Sequence, residues 1–186
     1  EMIAIWVISF WESLNKPSKF NIVELGPGDG ELCRILIKTF KKFPNFYKSV
    51  EIFLYERSKF LKNIQKNKIK EKNVNWLNNF DKIKNGPTLF FGNEFFDSIP
   101  IKQFEKKNNQ IYEKYIQLNK NSSFKLIQKK ASFQTVRELK KYKLLEKDGV
   151  IEYPKLGLKK LEMIVKKIKK FNGGLLLIDY GSLKKQ

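Results

Sequence analysis

The chain has 186 residues, 41% of them hydrophobic and 14% aromatic, which is enough to bury a core and too apolar for a disordered segment. It carries a formal charge of +19, no histidine and one cysteine, Cys33. These counts exclude histidine-based triads and an internal disulfide framework, leave little material for a zinc site, and point to a reducing compartment. So basic a chain could serve nucleic acid, but its lysines are spread along the whole length and only Arg34, Arg57 and Arg137 are arginine. Heavy use of lysine, asparagine, isoleucine and phenylalanine also arises from AT-rich coding with no function attached, and we prefer that reading. No apolar run approaches the length of a membrane span, and no stretch reads as a signal peptide.

In residues 1–15, Ile3, Trp6, Val7, Phe10, Trp11 and Leu14 fall at helical spacing, and Asn15-Lys16-Pro17-Ser18 ends the helix they predict. That helix starts without a cap or lead-in, so further chain is expected before it. Asn21–Gly30, NIVELGPGDG, predicts a short buried strand (Ile22, Val23, Leu25), a glycine-rich turn and a helix opening at Asp29 or Gly30. The helix should run to about Phe43, burying Leu32, Ile35, Leu36, Phe40 and Phe43, with Pro44 at its end. Val50–Glu56 reads as a second strand, Ser58–Ile69 as a helix capped by Ser58, and Asn73–Leu77 as a third strand. After the turn at Gly86-Pro87, Thr88–Gly92 is apolar throughout, as a strand buried on both faces should be.

From about 101 to 130, short apolar pieces alternate with polar turns, which predicts an antiparallel meander. Residues 131–154 are open between loop and short helix, with an extended approach through Gly149–Tyr153. Leu156–Phe171 reads as an amphipathic helix (Leu158, Leu161, Val165, Ile168) ending at Asn172-Gly173-Gly174, and Leu175–Tyr180 as a fifth buried strand. More chain is expected after Gln186. Strands alternating with helices predict an α/β fold, a mostly parallel sheet with flanking helices. The expectation is a single domain over 1–186 with an inserted β-rich segment at about 101–130.

The glycine turn carries the first chemical signal. Gly26, Gly28 and Gly30 give G-x-G-x-G, whereas a dinucleotide fingerprint would want glycine at Glu31, and the Gly-Lys-Ser/Thr of a P-loop is absent. Asp29 and Glu31 place two carboxylates where a helix N-terminus would otherwise attract phosphate. They favour a phosphate-free ligand with a positive centre, such as S-adenosylmethionine; a structural turn without ligand is the alternative. In open α/β sheets, ligands bind beyond the carboxyl ends of the strands. The second strand delivers Glu56 there, thirty residues after Gly26, able to accept two hydrogen bonds from a ribose diol. The third delivers Trp76 and Leu77, apolar surfaces fit for adenine. The fourth delivers Asn93 and Glu94, with Asp97 close behind, and two carboxylates there suit a cationic acceptor such as guanidinium. Each has a plainer reading: Glu56 as a surface acid, Trp76 as core, Asn93 as a turn former, Glu94 as a loop brace and Asp97 as a helix cap.

ELGPGDGEL, YERS, NEFFDSIPIKQF and GGLLLIDYG, in this order and spacing, resemble the MidA-type class I methyltransferases. These are bacterial and mitochondrial proteins whose mitochondrial member methylates arginine in a subunit of respiratory complex I during assembly. EMIAIWVISFWESL is similar to the family's helix before the glycine motif, so the resemblance covers essentially the whole chain. ELGPGDG is shared with many methyltransferases; NEFFDSIP followed by IKQF is more specific. The resemblance implies a Rossmann-like class I fold and S-adenosyl-L-methionine as cofactor, bound by Glu24, Gly26, Gly28, Gly30 and Glu56, with Asn93, Glu94 and Asp97 near the transfer site. Pro27, Arg57, Trp76 and Leu77 complete the candidate cofactor set, and Glu94 and Asp97 are the candidate catalytic pair. It also implies a protein substrate, a complex I subunit in the mitochondrial case, and a bacterial cytoplasm or mitochondrial matrix location. Two other readings stay beside it: an RNA methyltransferase, motivated by the charge, and a non-catalytic assembly factor that keeps the fold.

Overall fold

The computed structural model describes residues 1–181; residues 182–186, within the expected domain, lie outside the described residues. In chain order the elements are α1 (Met2–Ser13), β1 (Phe20–Leu25), α2 (Glu31–Phe40), α3 (Pro44–Ser49), β2 (Val50–Tyr55), α4 (Lys59–Lys68), β3 (Val74–Leu77), a 3-10 turn (Phe80–Lys82), β4 (Thr88–Asn93), β5 (Lys102–Lys107), β6 (Gln110–Leu118), β7 (Phe124–Lys130), α5 (Phe133–Lys141), β8 (Gly149–Tyr153), α6 (Lys155–Phe171) and β9 (Gly173–Ile178). They form two compact units, one of residues 1–98 with the chain from Lys160 onward, the other of residues 99–159.

The first unit is built on a parallel sheet of order β3-β2-β1-β4-β9. β1 lies at its centre, paired with β2 on one side and β4 on the other, and all six of its residues are buried. Successive side chains of a strand point to opposite faces. Phe20 and Ile22 therefore enter one core with Ala4, Val7, Trp11, Leu36, Phe40 and Phe46, while Val23 and Leu25 enter another with Phe53, Tyr55, Phe90 and Ile164. Helices cover both faces, which is why these strands read as near-continuous apolar runs rather than alternating ones. Strand order reverses between β1 and β4, the place where such sheets open a crevice at their carboxyl ends.

The helical faces depart from expectation by about one position. In α1 the buried stripe is Ala4, Val7, Ile8 and Trp11; Trp6 is 43% exposed and stacks on Phe10. In α2 the buried residues include Cys33, Leu36, Ile37 and Phe40, and Phe43 lies 39% exposed beyond the helix end. Both helices have apolar residues around more than half their circumference, so spacing alone fits more than one stripe. Pro44 does more than stop α2. It opens α3 at a first-turn position where its missing N–H costs nothing, and α3 delivers Phe46 edge-on to Phe40 (4.8 Å) and Trp11 (5.3 Å).

The second unit is an antiparallel sheet of order β7-β6-β5-β8. Phe104, Ile111, Leu139, Ile151 and Tyr153 form its core. The open stretch 131–154 resolves into α5, capped by the Ser132 hydroxyl accepting from Thr135 N–H, and β8, which pairs with β5. The β-rich unit therefore continues past Lys130.

Candidate functional site

The turn after β1 is held on three sides. Gly26 N–H donates to the Tyr55 carbonyl (3.1 Å), tying its start to the end of β2, and Gly30 N–H donates to Pro27 O (2.8 Å), closing it. Gly26, Gly28 and Gly30 take φ of 66°, 56° and 84°, a region that penalises any Cβ, and Gly30 caps α2, which opens at Glu31. A Cβ on Gly26 would also lie 3.0 Å from the Phe95 ring, so the loop after β4 packs against the turn. Pro27 is buried within it.

Beneath the turn sits Glu24, 3% exposed, on the same face of β1 as Phe20 and Ile22. Its Oε2 is buried without a hydrogen-bond partner, and burial pushes its pKa up to about 8. Burial first, and then the Glu24 carboxylate, raise the pKa of the Cys33 thiol, which therefore stays inert. The acids at the helix start are paired. Asp29 accepts from Glu31 N–H (3.1 Å) and meets the Lys68 ammonium, while Glu31 takes Arg34 through both oxygens (2.9 and 2.6 Å). Hydrogen bonds from those cations lower the pKa of both acids. The two carboxylates are thus partly offset, and they repel phosphate less than their sequence positions imply.

Glu56 follows β2 and is 9% exposed. Its Oε1 accepts from the backbone N–H groups of Arg57 (2.7 Å) and Ser58 (2.8 Å), which fixes the carboxylate and leaves Oε2 with no hydrogen bond among the described residues. Arg57 itself is exposed. Trp76 and Leu77 do not form one surface. As neighbours on β3 they point to opposite faces: Trp76 packs, half-buried, on the first core, and Leu77 is 2% exposed within the second. The indole N–H of Trp76 goes to Gln65 Oε1 (2.9 Å), and the Lys66 ammonium lies 5.6 Å from its ring centre.

Asn93 ends β4 and is exposed. Glu94 takes φ of 50° and donates its N–H to Ile178 O (2.9 Å), which ties the loop to β9. Asp97 is exposed on the tight turn that follows, not at a helix start. Its charge, together with Asp179 and Glu94, raises the pKa of the Tyr180 hydroxyl, which donates to Asp97. Three carboxylates from the ends of β4 and β9 therefore share one neighbourhood. Asp179 and Tyr180 were not singled out as site residues: the sequence places them inside a fifth buried strand, whereas β9 is a half-exposed edge strand that ends at Ile178 and leaves both residues just beyond it, the position that found Glu56. Among the described residues no cluster of acids or cysteine could hold a metal ion.

A doubly wound parallel sheet, a glycine turn at its switch point and an acid at the end of the next strand define the class I methyltransferase fold. Beside Gly28 the turn is open, with nothing within 4 Å of where a Cβ would lie, and Glu24 has an unpaired carboxyl oxygen, which fits a ligand with a cationic group. Residues 2–186 match the family described as "Putative S-adenosyl-L-methionine-dependent methyltransferase", and the chain belongs to that family. It is 30% identical over 204 residues to a mitochondrial protein arginine methyltransferase NDUFAF7 homolog from Caenorhabditis elegans, covering 97% of this chain and 47% of that protein. The human mitochondrial protein arginine methyltransferase NDUFAF7 is 27% identical, with 97% and 46% covered. The chain thus spans about half the length of these relatives. A crystal structure from Burkholderia thailandensis, bound to S-adenosyl-homocysteine, superposes with a TM-score of 0.67 at 17% identity, covering 93% of this chain and 45% of that one. That likeness shows the shared fold.

Proposed function

We propose that the chain forms the cofactor-binding part of an S-adenosylmethionine-dependent methyltransferase that acts on arginine in a protein. The observation that carries this reading is Glu24: a buried carboxyl group with an unpaired oxygen under a turn that only glycine can make. Glu24, Gly26, Pro27, Gly28 and Gly30 would hold the amino-acid end of the cofactor, and Glu56, with Arg57 beside it, its ribose. The cofactor supplies a methyl group on sulfonium, which leaves by in-line displacement. This chain's residues then need to align the acceptor and keep water out. Glu94 and Asp97, with Asp179 beside them, would hold a guanidinium by charge-assisted hydrogen bonds and stabilise its charge as the nitrogen attacks. Asn93 lies between the two groups in sequence and would face the cofactor. The relatives' names support arginine in a protein as acceptor and a mitochondrial setting for them; a complex I subunit as substrate extends the same reading.

Removing the Glu56 carboxylate tests the ribose contact. Glu56→Ala should weaken S-adenosylhomocysteine binding by ~1–3 kcal/mol, with the circular dichroism spectrum unchanged. Equal affinity in calorimetry would remove Glu56 from the site. For the acceptor side, a Glu94→Gln/Asp97→Asn double variant should retain cofactor affinity and lose about 100-fold or more in methyl transfer. Mass spectrometry of the host proteome with and without the gene should show one methylarginine site lost, and the double variant should fail to restore it. Normal partner binding and complementation of the host by that variant, with the methylarginine still missing, would favour an assembly factor without catalysis.

A further inference from the structure

We infer that Gln65 is a positioning residue for the cofactor turn, held in register by Trp76; this rests on the cofactor reading above. Gln65 belongs to α4, the helix that also brings Lys68 to Asp29, and is 0% exposed. It occupies the inward position between Leu61 and Ile69, where the spacing of the helix calls for an apolar side chain. A buried primary amide costs stability unless its donors and acceptor are used. Here both ends are used: Nε2 donates to the Gly28 carbonyl (2.7 Å) and Oε1 accepts from the Trp76 indole (2.9 Å).

The amide group has a direction. A hydrocarbon side chain of the same length would fill the space, but only a donor can hold a carbonyl. The Trp76 N–H can only donate, so it fixes the Gln65 amide with its oxygen toward β3 and its nitrogen toward the turn. With the Gly28 carbonyl drawn toward α4, the trans peptide it shares with Asp29 points the Asp29 N–H the opposite way. The Gln65 stem also lies where a Cβ on Gly30 would be, 3.1 Å away, so it supports the turn at two of its three glycines. Trp76, which the sequence offered as an adenine surface, thereby also acts through Gln65 on the backbone that cradles the ligand.

The test is S-adenosylhomocysteine binding to the full chain carrying Gln65→Leu or Gln65→Glu, by calorimetry at pH 5.5 and pH 8, with circular dichroism to establish folding. Gln65→Leu keeps the bulk and should bind about tenfold more weakly than the parental chain at both pH values. Gln65→Glu should bind weakly at pH 8, where its carboxylate faces the Gly28 carbonyl with no proton to give. It should return to within about threefold of the parental chain at pH 5.5, where the protonated acid can donate. Asp29, held ionised by Lys68, keeps its charge across this range, and Glu24, which titrates within it, does so in the parental chain as well, so its contribution cancels when each variant is compared with the parental chain at the same pH. If Gln65→Leu does not fold, the Gln65→Glu profile decides alone. A folded variant of either kind with parental affinity at pH 8, or a Gln65→Glu deficit that does not change with pH, overturns the inference while leaving the cofactor reading intact. No binding by the folded parental chain overturns both.

Discussion

Glu24→Gln should make the ligand-free chain more stable at pH 8 and remove most of its loss of stability between pH 5 and pH 8. The reason is the buried proton. Burial raises the Glu24 pKa from 4.5 to about 8, so between those values the folded chain holds a proton that the unfolded chain has lost. Stability then falls as pH rises through that window and levels off above it. The full shift corresponds to roughly 5 kcal/mol at most, a large part of a typical domain's stability. Glutamine has nearly the same shape and nothing to ionise. Urea melts at pH 5.5, 7 and 8.5 would show a falling midpoint for the parental chain and a nearly flat one for the variant. The same substitution should weaken cofactor binding, because an ionised Glu24 is what a cationic ligand group would stabilise. Gain in apo stability with loss of affinity is what a functional strain predicts; a purely structural glutamate would not show the second effect.

Gly173→Ala should destabilise the first unit by ~3 kcal/mol or more. Gly173 opens β9 opposite Thr88 with φ of 144°, and a Cβ there would lie 2.1 Å from the Thr88 carbonyl oxygen, with backbone carbon and nitrogen at 2.9 and 3.0 Å. No side-chain rotation relieves a clash with backbone, so the strands must separate where their pairing begins. β9 carries Leu175 and Leu176 into the two cores and delivers Asp179 and Tyr180 to the site. The melting temperature should drop by roughly 6–12 °C for that loss. A thermal melt unchanged within a degree would show that β9 does not pair in this register.

The parallel sheet was legible because its central strands are buried on both faces and therefore mostly apolar, as in β1 and β4. The glycine turn was legible because three glycines at alternate positions have few structural uses, and the α4 cap because Ser58 sits just before the helical spacing begins. Other features depend on residues distant in sequence. Lys68 neutralises Asp29 from thirty-nine residues away, and no local pattern announces it. Gln65 left a faint trace, a polar residue on an apolar stripe, but its two partners lie on separate elements. Trp76 and Leu77, both offered as adenine surfaces, point to opposite faces of β3, as period-two alternation requires. Asp179 and Tyr180 were hidden because the apolar run Leu175–Ile178 reads on through them as one strand, whereas β9 ends at Ile178.

Calorimetry of S-adenosylhomocysteine against the chain at pH 7, in two buffers of different ionisation enthalpy, tests the central claim most directly. The account predicts micromolar binding with release of a proton, seen as a buffer-dependent heat that disappears in Glu24→Gln. A folded chain that gives no binding heat in either buffer would contradict it.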